Sequence, residues 1–98
     1  MLAEPVSSDR ALELGLVTSV VPDEDLPTAA AAFAAKLAAG PTLAYAAIKE
    51  SLLYSAGHGL HEALAKEADL QEQLGASADH RAATQAFLRK EVPVYEGR

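Results

Sequence analysis

The stretch LHEALAKEADLQEQLG, residues 60–75, decides the predicted fold class. Side chains in steps of four and three residues, the spacing of one face of an α-helix, stand at Leu60, Leu64, Glu67, Gln71 and Leu74. Gly75 follows where such a helix should end. Strand-type alternation of apolar and polar residues is nearly absent from the chain, so an all-α fold is predicted.

The residues that follow predict one more helix and an extended tail. Ser77 is a suitable N-cap for a helix from about Ala78 to Lys90. Pro93 then favours an extended chain. One side of the helix carries Ala83, Ala86, Phe87 and Lys90, and the tail is expected to pack through Val94 and Tyr95.

Two helices are predicted in the first forty residues. Ser7 or Ser8 caps a short helix that precedes Gly15, a residue suited to the position after a helix. Asp25 is expected to cap the second helix, which stops at Gly40-Pro41. The apolar face of this second helix consists of Leu26, Ala30, Phe33 and Leu37.

A further helix is predicted between Gly40 and the break Gly57-His58-Gly59, starting at Pro41 or Thr42. Its apolar stripe consists of Ala44, Ile48 and Leu52. Upstream, residues 16–21 are rich in β-branched side chains and end at Pro22, which favours a short extended segment. One strand cannot form a sheet, so this segment needs a partner for its backbone groups.

The predicted architecture is therefore a small bundle of about five helices with one short extended segment. Residues 1–25 hold the first helix and the extended segment, and residues 26–98 form the helical domain. The chain has 98 residues, of which 50% are apolar. Much of that half is alanine, which contributes little buried area, so a thin core and a partner surface are expected.

Charge and composition exclude several function classes. The formal charge of −6 disfavours binding to nucleic acid, and the absence of cysteine excludes disulfides and thiolate metal sites. Neither a basic leader with an apolar run nor a stretch of about 18 apolar residues is present, so no export signal or membrane span is predicted. The cytoplasm is the expected location.

No catalytic or metal-ligating constellation is predicted. His58 and His61 are three residues apart and His80 is nearby in sequence, but zinc-binding helices of hydrolases place two histidines four apart with a Glu between them. Glu67 and Gln71 are the unusual pair, because a carboxylate on an apolar stripe must find partners or lose its charge. A structural carboxylate is the favoured interpretation of Glu67, and a general base is the alternative.

Taken in order, the motifs resemble the C-terminal third of the crotonase (enoyl-CoA hydratase/isomerase) family. The opening segment contributes Glu4-Pro5-Val6-Ser7, residues 11–17 and Val20-Val21-Pro22. The closing segment contributes Glu67, Gln71, Ser77, Asp79, Ala86-Phe87-Leu88, Lys90, Pro93, Tyr95, Gly97 and Arg98. Residues 40–45 and 71–79 resemble the branch of the family that includes the phenylacetate-pathway isomerases. The family usually has an acidic residue and Gly at 82 and 83 and a basic residue at 91, where this chain has Ala82, Ala83 and Glu91.

This resemblance implies the C-terminal trimerisation and lid region of a crotonase-type fold. It implies that the parent protein binds acyl-CoA thioesters, as substrate and not as a resident cofactor, and that Phe87 and Lys90 contact coenzyme A. The family's oxyanion-hole donors and catalytic carboxylates lie outside the matching region, so no catalytic residue is assigned here. We expect a homo-oligomer, dimer or trimer, that binds acyl-CoA only as part of a full-length enzyme. The alternative is a free-standing, non-catalytic helical module that self-associates.

Overall fold

The computed structural model describes residues 3–98, which contain five α-helices and a short 3-10 turn and no strand. The helices are α1 (Ser8–Glu13), α2 (Leu26–Ala38), α3 (Thr42–Ser55), α4 (Leu60–Gly75) and α5 (Ala78–Arg89). The predicted all-α class and the number of helices are confirmed. The first two residues of the predicted 1–25 segment, Met1 and Leu2, lie outside the described residues.

The helix boundaries follow the local capping chemistry. The Ser7 hydroxyl accepts a hydrogen bond from the Arg10 amide at 3.2 Å, and the Ser77 hydroxyl accepts one from the His80 amide at 3.0 Å. At the start of α4 the Glu62 carboxylate accepts from the Gly59 amide at 3.0 Å. These contacts satisfy backbone donors that a helix leaves open at its first turn.

Two local predictions differ from the structure. Asp25 does not cap α2, because it lies in the 3-10 turn Asp23–Asp25 and its amide donates to the Pro22 carbonyl. The β-branched segment does not become a strand. It forms bends at residues 16–18 and irregular chain up to Pro22, because no neighbouring strand is present among the described residues to pair with it.

The chain divides into two compact units, one ending at Phe33 and one comprising Ala34–Arg98. This boundary falls inside α2 and reflects packing alone, so the predicted division after residue 25 stays a prediction. The second unit holds α3, α4, α5 and the C-terminal tail, and α3 packs along α4. Between α2 and α3, Gly40 lies against the Tyr45 ring, and a Cβ added at Gly40 would overlap the Tyr45 hydroxyl.

The core is as thin as the composition predicted. Among the described residues only Leu70 and Ala86 are buried apolar side chains, and Asp79 is the one buried charged residue. Many large apolar side chains are exposed, among them Leu26, Phe33, Ile48, Leu52, Leu53, Phe87, Leu88, Val92 and Val94. Large exposed apolar side chains in this number are typical of faces that contact other protein.

Candidate functional site

The C-terminal end of α5 is formed by a residue in an unusual backbone conformation. Lys90 follows Arg89 with φ 59° and ψ 34°, the left-handed region, and it is the only residue other than glycine with positive φ in the range 3–98. The Lys90 amide donates to the Phe87 carbonyl at 3.1 Å and the Glu91 amide to the Ala86 carbonyl at 2.9 Å. This hydrogen-bond pattern is a Schellman motif, which normally takes glycine at the left-handed position.

Phe87 lies in the last turn of α5, three residues before Lys90. Its side chain is 81% exposed, so Phe87 does not anchor α5 in a core. The sequence left open whether this ring packs inside the protein or faces outward, and the structure places it outward. The two residues predicted to contact coenzyme A therefore stand together, both exposed, at one end of α5.

The ring of Phe87 borders a cavity of about 400 Å³ between α5 and the tail. From the tail, the lining residues are Glu91, Pro93 and Tyr95, and from the helix they include His80, Ala83 and Thr84. The walls are mainly apolar, and the cavity is open to solvent along one side. An aromatic or heteroaromatic group is the kind of ligand that such walls can hold beside Phe87.

The tail is held at its far end by Asp79, in the first turn of α5. The Asp79 carboxylate accepts hydrogen bonds from the Glu96 amide at 2.7 Å and the Gly97 amide at 3.0 Å. The Asp79 amide donates to the Arg98 carbonyl at 2.8 Å. Sequence reasoning placed Asp79 in a motif and gave it no contact. No local signal distinguished it from Asp9, which also stands two residues after a capping serine and is exposed.

A second polar cluster joins α3 and α4. The Lys66 ammonium lies 2.5 Å from the Glu50 carboxylate and 6.0 Å from the centre of the Tyr54 ring. The hydrogen bond to Glu50 raises the pKa of Lys66 above its ordinary value of 10.5, while partial burial acts in the opposite direction. His58 stacks on Tyr54 at 3.7 Å, and its Nδ1 lies 2.6 Å from the Tyr54 carbonyl oxygen. Lys66 therefore carries its charge throughout the physiological pH range.

Glu67 and Gln71 are exposed along the groove between α3 and α4. They line a cavity of about 190 Å³ with Ile48, Leu52 and Leu70. Within residues 3–98 the Glu67 carboxylate makes no hydrogen bond that would explain a structural role in this chain, and no second carboxylate lines its cavity. Both the structural and the general-base interpretation of Glu67 remain predictions.

Neither a metal centre nor a membrane-spanning single helix is found in the described part of the chain. No three side chains of His, Asp or Glu converge there as metal ligands. None of the helices in residues 3–98 combines the length and the apolar character of a membrane span. The bent pair formed by Asp23–Ala38 and Thr42–Ser55 has the length and composition of a broken span, and nothing beyond those two properties points to one.

Comparison with known proteins identifies the family. The model of the enoyl-CoA hydratase/isomerase family matches residues 1–98. A probable enoyl-CoA hydratase of Rhodobacter capsulatus is 42% identical over 98 residues, and the match covers all of this chain and 38% of that protein. The 1,2-epoxyphenylacetyl-CoA isomerase of Escherichia coli is 35% identical over 98 residues, with 37% of its length covered.

Solved structures agree with these relatives. The crystal structure of an enoyl-CoA hydratase from Polaromonas sp. JS666 superposes with a TM-score of 0.88 at 31% identity, covering 95% of this chain and 36% of that one. The present chain thus spans a little over a third of the relatives that it matches. A match over its whole length, together with a shared helical fold, shows that the chain belongs to the enoyl-CoA hydratase/isomerase family.

Proposed function

We propose that this chain is the C-terminal lid and oligomerisation region of an acyl-CoA hydratase/isomerase and contributes Phe87 and Lys90 to the binding of coenzyme A. The observation that carries the proposal is the left-handed conformation of Lys90 beside an exposed Phe87. The proposal assigns no catalytic residue to this chain. Hydration or isomerisation of an acyl-CoA double bond belongs to the whole enzyme.

The conformation of Lys90 supports a functional role. A left-handed backbone costs a residue with a Cβ roughly 1 kcal/mol relative to glycine. Backbone preference would favour glycine at position 90, whereas the dipole of α5 favours a cation at this end of the helix. Strained residues of this kind are concentrated at binding sites, and an exposed ammonium can form a charge-assisted hydrogen bond with a phosphate oxygen.

Phe87 and Lys90 offer two complementary contacts to the nucleotide part of coenzyme A. The exposed ring can stack on adenine, and the ammonium one turn later can reach a phosphate oxygen. Each contact is worth about 1 to 3 kcal/mol by analogy with base stacking and charge-assisted hydrogen bonds. Glu91 follows directly and weakens the attraction for phosphate. These contacts therefore add to binding by the rest of the enzyme and do not suffice alone.

The relatives support the acyl-CoA substrate class. The names of the Rhodobacter capsulatus and Escherichia coli relatives both contain coenzyme A, one as a hydratase and one as an isomerase. Similarity to the isomerase agrees with the resemblance of residues 40–45 and 71–79 to the phenylacetate-pathway branch. We therefore include in the proposal that the whole enzyme belongs to this branch and acts on the acyl group of a phenylacetate-pathway thioester.

Exposed apolar helix faces support the oligomerisation role. Leu52 and Leu53 on α3, and Leu88 on α5, are all exposed in the second unit. Burying such side chains against protein gains about 25 cal/mol per Å² of apolar surface, which favours association into a symmetric dimer or trimer. The same faces also favour the second candidate, a free-standing module that self-associates without contributing to catalysis.

A chimeric enzyme tests the coenzyme A contact. The 98 residues replace the matching segment of the Rhodobacter capsulatus relative, and KM and kcat for an enoyl-CoA are measured at low salt. Lys90→Ala should raise KM at least about fivefold with little change in kcat, because it removes a charge-assisted contact of at least about 1 kcal/mol. Lys49→Ala, at an exposed lysine of α3, is the matched control. An unchanged KM for Lys90→Ala would contradict the assignment.

Sedimentation of the chain itself distinguishes the two candidate functions when it is combined with a turnover assay. Both candidates predict a concentration-dependent oligomer and no turnover of enoyl-CoA by the chain alone. The chimera separates them, because only the lid region restores acyl-CoA turnover when joined to the rest of a hydratase. A monomer at all concentrations would contradict both candidates.

A further inference from the structure

The C-terminal tail is held by a carboxylate that the proposed coenzyme A contact does not use. Asp79 is 6% exposed, and its two oxygens accept from the amides of Glu96 and Gly97. Its own amide donates to the Arg98 carbonyl. Three hydrogen bonds thus join the first turn of α5 to residues that lie 17 to 19 positions later in sequence. Among the described residues, no other charged side chain is buried.

The path of the tail follows from its two ends. The 12 residues of α5 rise about 18 Å along the helix axis. The left-handed Lys90 reverses the chain, and an extended chain from residue 91 to residue 96 covers about 17 Å. The tail is therefore just long enough to return from the end of α5 to its start. We call residues 91–98 the strap.

The strap lies on α5 with alternate side chains directed inward. Pro93 and Tyr95 are half-buried and line the cavity against the helix, whereas Val92 and Val94 are exposed. This alternation is that of an extended chain with one side covered. Apolar contact along the strap is limited to two residues, so its far end depends on the hydrogen bonds of Asp79.

We infer that Asp79 is a latch that positions the coenzyme A contact at the opposite end of α5, an inference that rests on the proposed function for its consequence in catalysis. Lys90 adopts a backbone conformation that a residue with a Cβ disfavours. A fixed strap holds it there, because the chain cannot otherwise reach Asp79. When the latch is open, Lys90 relaxes toward the right-handed or extended region, and its ammonium and the Phe87 ring no longer face the same ligand.

Amide hydrogen exchange of the chain tests the latch without any ligand. Asp79→Ala should speed exchange of the Gly97 amide about tenfold or more, since that amide loses its acceptor. It should also speed exchange of the Glu91 amide, which is hydrogen-bonded to Ala86 at the far end of α5. The Glu91 amide is the decisive probe, because a carboxylate that only ties down the last residues would leave it unchanged.

Two further variants keep this test decisive. Asp9→Ala is the matched control, because Asp9 has the same position after a capping serine and is exposed. If Asp79→Ala unfolds the second unit, as faster exchange at Leu70 would reveal, Asp79→Asn replaces it, since the amide keeps one acceptor oxygen and the shape of the side chain. Unchanged exchange at Glu91 in a folded variant with faster exchange at Gly97 would overturn the positioning role.

The catalytic consequence is measured in the chimera. Asp79→Ala should raise KM for enoyl-CoA and leave kcat nearly unchanged, with Asp79→Asn intermediate. The two proposals fail in different ways. If Lys90→Ala has no effect on KM, the coenzyme A contact is wrong whatever the exchange data give. If Lys90→Ala raises KM and Asp79→Ala changes neither KM nor the exchange of Glu91, the latch is wrong and the contact stands.

Discussion

Helices α1 and α5 begin with the same local chemistry and end in different surroundings. Ser7 caps α1 and Ser77 caps α5, each accepting a hydrogen bond from the amide three residues later. An aspartate stands two residues after each serine, where the helix dipole favours a negative charge. Asp9 is exposed, whereas Asp79 is buried and joined to the strap.

The two helices also end by the same motif. Gly15 follows α1 with φ 70°, and the amides of Gly15 and Leu16 donate to the carbonyls of Leu12 and Ala11. The amides of Lys90 and Glu91 make the corresponding hydrogen bonds at the end of α5. Helix limits are thus set by local residues in both cases. What differs is the contact beyond the helix: in the described part of the chain, a returning segment binds the first-turn acid of α5, and none binds that of α1.

The largest expected effect comes from removing the two aspartates in turn. Asp79→Ala should lower the free energy of unfolding by about 2 kcal/mol, since hydrogen bonds to a charged group contribute about 1.5–3 kcal/mol. Asp9→Ala should lower it by about 0.5 kcal/mol, because it loses only the dipole interaction. Urea unfolding followed by circular dichroism measures both. Equal losses would mean that burial of Asp79 adds nothing to stability.

The next effect concerns the caps. Ser7→Ala should lower the stability of α1 by about 1 kcal/mol, which is typical for the loss of an N-cap. Ser77→Ala should cost more, because the Ser77 hydroxyl also donates to the Leu74 carbonyl at 2.6 Å and so links the end of α4 to α5. Exchange of the Arg10 and His80 amides, the two donors, reports each loss. A larger loss at Arg10 would contradict this ranking.

The sequence predicted most of the fold and less of the site. Serine caps and terminal glycines act locally, so the ends of α1, α4 and α5 could be predicted within a residue or two. The position of Asp25 in a 3-10 turn could not be predicted, because a 3-10 turn and a capped helix share the same residue preferences. Phe87 and Lys90 were found through family resemblance, and their roles stay predictions.

The latch was beyond sequence reasoning for a physical reason. Asp79 contacts residues 17 and 18 positions away. Those contacts depend on a chain reversal at Lys90, where backbone propensity argues against a left-handed lysine. Local preferences predicted that the tail packs through Val94 and Tyr95, but Tyr95 is half-buried and Val94 is exposed. Only the combined structure of helix, reversal and strap brings the acid and the amides together.

A smaller effect comes from exchanging the residues at the two left-handed positions. Lys90→Gly should raise the midpoint of thermal unfolding, since it relieves a backbone cost of about 0.5–1 kcal/mol. Gly15→Ala should lower stability by a similar amount, because it introduces that cost at φ 70°. Thermal unfolding of both variants measures the pair. If Lys90→Gly destabilises the chain, the Lys90 side chain itself stabilises the fold, and the functional argument for its strain fails.

The smallest effect concerns the ion pairs of the two units. Arg10 and Glu13 pair along α1 with both side chains largely exposed, whereas the Lys66 side chain is 26% exposed and reaches from α4 to Glu50 on α3. The hydrogen bond to Glu50 raises the pKa of Lys66 above 10.5 in the folded chain. The stabilisation is therefore complete below the unfolded value and is lost as the pH rises through the higher folded value. Unfolding measured from about pH 9 to about pH 11 should show stability falling with pH in the wild-type chain and a shallower fall in Lys66→Met. Lys49→Met, at an exposed lysine of α3, should keep the wild-type slope, and an identical slope in all three chains would show that the pair contributes no pH-dependent stability.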